Sequence, residues 1–247
     1  MNEKTPGLNA LIKADARFRL TGNYPKVIFV QFYVGFLIAF LSELFFQMIK
    51  PSDLKGFCLF IAVRFLLTLL SGLFLVGLNE MYISLFRGKK PSFLRLITCF
   101  YQYSNKTIQL QLLILLHILL HAIPFLVTLP IWLILKNDIL LIPVGIFFAT
   151  ALIRAVILQL NYSQVFYLVF EEPGASVRQL LEASTLLMNG NKLRYAKLLL
   201  SFIGLLLINL ITFGIASLWI DPYFYSTKAC FHRHLLKEWR QRKSNRT

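Results

Sequence analysis

A chain of 247 residues that is 57% hydrophobic and only 15% charged, with a mean hydropathy of +0.65, is too apolar for a soluble domain, where charged residues run at about a quarter. Its 26 Lys+Arg against 11 Asp+Glu give a formal charge of +15, so the cations must lie where water or anionic headgroups can hold them. A soluble enzyme, a disulfide-stapled secreted domain and a disordered chain are excluded, and the expected class is all-α: one polytopic helical bundle over residues 1–247, spanning a bilayer.

The segment before the first apolar run carries Lys4, Lys13, Arg17, Arg19 and Lys26. It has no small-residue cleavage site, so the first apolar run reads as a retained span rather than a signal peptide. Roughly 20 helical residues cross a hydrocarbon core. Residues 27–49, 57–86, 108–135 and 139–170 pass that length, and the second and fourth should project into water at one end. The last apolar region is ambiguous. One reading is a single crossing; the other is two short crossings, 195–211 and 215–231, joined by a turn at Thr212-Phe213-Gly214.

Charge placement separates these, because Lys and Arg of short loops stay cytoplasmic. The connection after the second span carries Arg87, Lys89, Lys90, Arg95 and Lys106, and the one after the fourth carries Arg178, Lys192, Arg194 and Lys197. The first and third connections hold Lys50, Lys55 and Lys136. A single final crossing would put Arg233, Lys237, Arg240, Arg242, Lys243 and Arg246 of the basic tail, 232–247, outside. Six spans in three hairpins, with both termini cytoplasmic in the cell membrane, is therefore the expected topology. Asp221, Pro222 and Lys228 make the sixth segment a poor span, which leaves a re-entrant final hairpin as the alternative.

Three stretches read as cytoplasmic interfacial amphipathic helices, 8–20, 92–100 and 176–188. The last is the clearest: Val177, Leu180, Leu181, Ser184, Leu187 and Met188 share one face. Ser176 with Gln179 forms a capping box, and Asn189-Gly190 supplies a left-handed stop.

The run Ser184, Met188, Gly190, Lys192, Leu200-Ser201-Phe202-Ile203-Gly204, Thr212, Gly214-Ile215, Trp219 and Pro222-Tyr223 resembles the C-terminal signature of a bacterial integral membrane family catalogued as domain of unknown function 975. Leu20-Thr21-Gly22-Asn23-Tyr24 and Leu85-Phe86-Arg87-Gly88-Lys89 are similar to its upstream patterns. The chain departs from the family at Leu205, and at His232 where an aromatic is usual after Phe231. The resemblance implies topology and a bacterial origin, and no catalytic residue.

Ionisable groups inside spans are costly and mark candidate sites. Glu43 and Arg64 both fall about 10 Å from the outer end of their spans at 1.5 Å per residue, and Asp221 is at similar depth. They read either as an ion pair fixing adjacent helices or as a cargo or proton site. His117 and His121, four residues apart on one face, should lie level with Arg154, and Glu80 lies just past the inner end of the second span's core. Polar helix packing, a proton or anion pathway and a metal site are the readings. The zinc-protease pattern H-E-x-x-H is not met, because Ile118 follows the first His, and no metal or other cofactor is expected. Cys58, Cys99 and Cys230 form no C-x-x-C pair, so no thiolate metal site or disulfide framework is indicated. Gly72, Gly77, Gly204 and Gly214 are candidates for close helix approach.

No G-x-S-x-G elbow, phosphate-binding G-x-x-x-x-G-K-[ST] or Rossmann glycines occur. The expected function is therefore non-enzymatic: binding of membrane lipids, through anionic headgroups at the cytoplasmic face, or of a partner membrane protein or second copy. A small transporter or permease subunit built on the polar residues above is the alternative, and an embedded lipid-processing enzyme is a more distant one. Nucleic acid is not expected, since anionic lipid is the nearer partner for membrane-proximal cations.

Overall fold

The computed structural model describes residues 7–49 and 53–244, apart from the side chain of Lys243; Lys4, Lys50 and Arg246 of the charge pattern lie outside the described residues. Within them the chain is helical, with no strand. Helix α1 (Leu8–Leu20) is followed by α2 (Tyr24–Met48), α3 (Leu54–Phe86) and α4 (Phe93–Leu135). A single 3-10 turn, Asp138–Leu140, leads into α5 (Leu141–Asn161) and α6 (Val165–Glu171). Then come α7 (Val177–Met188), α8 (Lys192–Leu200), α9 (Ile203–Ile211) and α10 (Ser217–Ser244).

Five helical segments are long and apolar enough to cross a membrane: Tyr24–Met48, Leu54–Phe86, Phe93–Leu135, Asp138–Glu171 and Lys192–Ile211. Their outer faces present Phe29, Phe36, Leu66, Ile134 and Ile211, all more than half exposed, as expected where lipid rather than protein covers them.

The protein core sits at one end of the bundle. In α3, Val76, Gly77, Leu78, Asn79 and every residue from Met81 to Phe86 are buried. That stretch is enclosed by α1, α2, α4, α6 and α10. Gly77 allows the approach of α4, because a Cβ there would lie 2.9 Å from Leu96 Cγ and 3.3 Å from its carbonyl oxygen. Gly72 does the same for Gln111. Gly204 has nothing nearby, and Gly214 serves the turn instead, at φ 88°.

Two expected interfacial helices form where the sequence places them. The ends of α1 match the expectation, and α7 has its Ser176–Gln179 capping box and positive φ at Gly190. Their apolar faces are covered by protein, however. Ile12, Ala16 and Leu20 of α1 are fully buried, with α1 packed on α10 and α3. Leu180, Leu181, Leu187 and Met188 of α7 are buried, with α7 packed against α4, α5, α6 and α10.

The third expected interfacial helix, 92–100, is not separate. It is the start of the 43-residue α4, because nothing in Tyr101-Gln102-Tyr103-Ser104-Asn105-Lys106-Thr107 breaks a helix. The basic tail is also no appendage, since α10 runs unbroken from Ser217 to Ser244. The turn at Thr212-Phe213-Gly214 is present, with Phe213 at φ 50°.

The fourth crossing breaks between α5 and α6, leaving the Asn161 carbonyl and the Gln164 N–H without helical partners. Fully buried Ser184 of α7 mends the break: its hydroxyl donates to Asn161 O at 2.6 Å and accepts from Gln164 N at 3.3 Å. Replacing Ser184 by Ala orphans both groups, at a cost of about 1–3 kcal/mol. Chemical unfolding in detergent should show that loss for Ser184→Ala and little change for exposed Glu182→Ala; equal midpoints for the two variants would contradict the role of the hydroxyl.

Candidate functional site

Helical periodicity sets polar groups along three facing stripes. On α3, Thr68, Ser71, Leu75 and Asn79 recur at intervals of three and four residues; on α4 the stripe holds Gln111, Ile114, Leu115 and Ile118; on α10 it holds Phe224 and Lys228. Between them, with Ser163 and Tyr167 from the broken fourth crossing and Tyr195 of α8, lies a cavity of about 450 Å³.

Lys228 is the cation of this cavity. Its ammonium lies 5.4 Å and 5.2 Å from the ring centroids of Phe224 and Tyr225, one turn back on the same helix. Among the described residues it has no carboxylate within ion-pair distance. Two further polar groups on the wall are buried without hydrogen-bond partners, Asn79 Oδ1 and the Tyr167 hydroxyl, in residues 3% and 1% exposed. Gln111 is held by its amide donating to Leu69 O at 3.3 Å.

Behind the cavity, Tyr167 stacks on His232 at 4.8 Å between ring centroids. His232 is fully buried, with Nδ1 3.1 Å from Gln164 Oε1 and Nε2 unpartnered. With the Gln oxygen as acceptor, Nδ1 carries the proton and the ring is neutral.

Of the residues singled out by sequence, few converge. Glu43 and Arg64 do not pair: Glu43 is exposed and accepts from Gln47 at 3.0 Å, while Arg64 is exposed on the outside of α3. Asp221 sits apart from both, in a cavity of about 240 Å³ beside Gln31, Gly35 and Ser217. His117 and His121 share a face as expected, but the His121 ring is exposed and turned to the His117 carbonyl at 2.7 Å. Arg154 is exposed and does not join them. His117 instead packs on Tyr162 at 5.8 Å and lines a cavity of about 660 Å³ with Arg178 and Glu182 of α7. Glu80 pairs with Arg95 at 3.7 Å, away from the histidines. No three His, Cys, Asp or Glu side chains gather as a metal site among the described residues.

Lys228 and Tyr167 are the site residues that sequence reasoning missed. Lys228 counted only as an obstacle to a crossing, although it lies one turn after Phe224 in the most polar stretch of the last hairpin.

Burial depresses the His232 pKa from its ordinary 6.5 to about 3. The unfolded chain therefore binds a proton that the folded chain refuses between those values, so this contribution is complete above about pH 6.5 and is lost as pH falls. The loss approaches 1.4 kcal/mol per pH unit from this one group. Thermal unfolding in detergent at pH 7 and pH 5 should show a drop that is smaller in His232→Gln; an equal drop in both would contradict it.

No curated protein and no solved structure matches this chain. The family model described as "Protein of unknown function (DUF975)" matches residues 11–239, so the chain, with its apolar helices able to span a membrane, belongs to that family.

Proposed function

We propose that the protein is a non-enzymatic component of the bacterial cytoplasmic membrane, crossing it six times with both termini inside, and that its basic face holds anionic lipid headgroups. What supports the topology is where the chain ends meet. Arg233 donates to Phe86 O at 3.2 Å at the end of α3, and the guanidinium groups of Arg19 and Arg233 lie 5.7 Å and 5.2 Å from the centroid of the Phe86 ring. Glu171 at the end of α6 receives Arg87 at 2.9 Å and Arg240 at 4.0 Å, and Glu238 of α10 receives Arg194 of α8 at 3.0 Å. The helices α1 and α10 therefore share one end of the bundle with the α3–α4 and α6–α7 connections. That supports an even number of passages, with α10 as the last. This basic end is the cytoplasmic one by charge bias. A reporter fused after Thr247 should accordingly read as cytoplasmic, and an external signal would overturn the topology.

The observation that carries the lipid reading is the cations left over at that end. Three carboxylates, Glu171, Glu80 and Glu238, are shared among Arg87, Arg95, Arg194, Arg240 and Arg242. Exposed Lys89, Lys90, Lys197 and Lys237 have no ion-pair partner among the described residues. Each cation near an anionic leaflet is worth about 1 kcal/mol. Of the residues of the rival transporter reading, Glu43, Arg64, His121 and Arg154 are exposed, while Asp221 and His117 line two separate cavities. Native mass spectrometry from mixed anionic and zwitterionic nanodiscs should show retained anionic lipid. In the triple variant Lys89→Gln, Lys90→Gln, Lys237→Gln the enrichment should fall, by up to about 100-fold at 1 kcal/mol per charge. An unchanged lipid ratio would sink the electrostatic part.

A further inference from the structure

We propose that the cavity between α3, α4, α6 and α10 binds an anionic headgroup, a carboxylate or phosphate monoanion carried on an apolar chain. Lys228 is its counter-ion, and Tyr167 and Asn79 are its hydrogen-bond partners. The site is separate from the basic face and stands or falls without it.

The chemistry of the wall selects the ligand. An ammonium lifted from water into a cavity among apolar helices needs a counter-charge or strong acceptors. The faces of Phe224 and Tyr225 supply only part, since a cation over an aromatic ring gains about 0.5–2 kcal/mol. No Asp or Glu lines the cavity, so the missing negative charge is left for a ligand to bring.

The Tyr167 hydroxyl is a donor without an acceptor. The unpartnered atom of Asn79 is its oxygen, an acceptor, so this residue serves an anion only through its amide NH2. Ammonium, phenol and amide together suit the oxygens of an anion and reject a metal cation, which would want the carboxylates that are absent from the wall.

The remainder of the wall points to a tail. Leu75, Ile114, Ile118, Leu160, Phe166 and Leu199 are apolar. Thr68, Leu115 and Gln159 on the rim are exposed on the outer surface of the bundle. A ligand can therefore place its head at Lys228 and run its chain out between helices into the membrane. The volume of about 450 Å³ falls in the range of small-molecule sites, about 300–1,000 Å³. It accommodates a headgroup and the start of a chain rather than a whole lipid.

The test is equilibrium binding to the full-length protein in an uncharged detergent, with the fluorescent fatty carboxylate cis-parinaric acid and its methyl ester as probes. The acid should bind saturably at one site per chain and the ester at least about tenfold more weakly, the loss of one charge-assisted contact. Lys228→Met should weaken the acid by about tenfold or more, Lys228→Arg by less than about threefold, and Tyr167→Phe by an intermediate factor. Ser71→Phe narrows the cavity without touching the cation and should also weaken the acid; it carries the test if the Met variant does not fold. Displacement of the probe by an anionic phospholipid and not by inorganic phosphate assigns the site to a lipid headgroup. Displacement by inorganic phosphate alone keeps the anion site and overturns its apolar tail. Equal binding of acid and ester, or acid binding unaffected by both Lys228→Met and Ser71→Phe, would overturn the proposal.

Discussion

The arrangement depends on one constraint: α3 from Val76 to Phe86 is buried at every residue but Glu80. A helix enclosed that way cannot stand alone, because its apolar residues need neighbours all round. α1, α2, α4, α6 and α10 supply them. The first half of α3 faces outward with Leu59, Ile61 and Leu66. The bundle is thus consolidated at one end and lipid-facing at the other. Both terminal helices belong to the consolidated end, where Asn9 donates to Arg194 O at 3.3 Å and Ser226 to Ala16 O at 3.3 Å. Residues far apart in the chain thereby close one core.

Enclosure makes every polar group in that core answerable for its partner, since no water is at hand to hydrogen-bond it. Several are answered by side chains from distant helices. Ser184 serves the break between α5 and α6, and Arg233 the carbonyl at the end of α3. Lys106 binds the carbonyls of Pro173 and Ala175 ahead of α7. Gln31 accepts from the Tyr82 hydroxyl at 2.5 Å. Other buried groups, among them Thr107 Oγ1 and His232 Nε2, also lack partners, but at the wall around Lys228 such groups stand beside a cation. Lys228 has aromatic faces but no carboxylate there, and the Tyr167 hydroxyl and Asn79 oxygen in the same wall have no protein partner.

Local signals in the sequence carried a good part of the fold. Capping at Ser176 and a left-handed residue at Gly190 delimit α7, apolar spacing delimits α1, and Gly214 marks the last turn, because each is decided by residues a few positions apart. The fusion of 92–100 with the third span was not legible for the converse reason: polar residues 101–107 resemble a loop in composition, yet contain no glycine or proline to end a helix. Nor was the use of amphipathic faces legible. An apolar stripe on α1 or α7 is the same letter pattern whether lipid or α10 covers it, and only the tertiary fold decides.

The same limit separates the candidate residues. Depth along a span follows from counting, which is how Glu43, Arg64, His121 and Arg154 are read as lying inside apolar runs. Azimuth does not follow, because a span apolar on nearly all sides has no polar stripe to reveal which face looks inward. These four turned out exposed, where long side chains can extend toward the interface. Lys228 differs in azimuth rather than in kind. Lys228 is half-buried, its ammonium over the Phe224 and Tyr225 rings in the wall of the cavity. A cation spread on the lipid surface tells little about function, whereas one that faces a cavity is a candidate to meet a ligand's charge. Protein supplies no carboxylate to the wall around Lys228, and that asymmetry gives this lysine a weight that Arg64 and Arg154 lack.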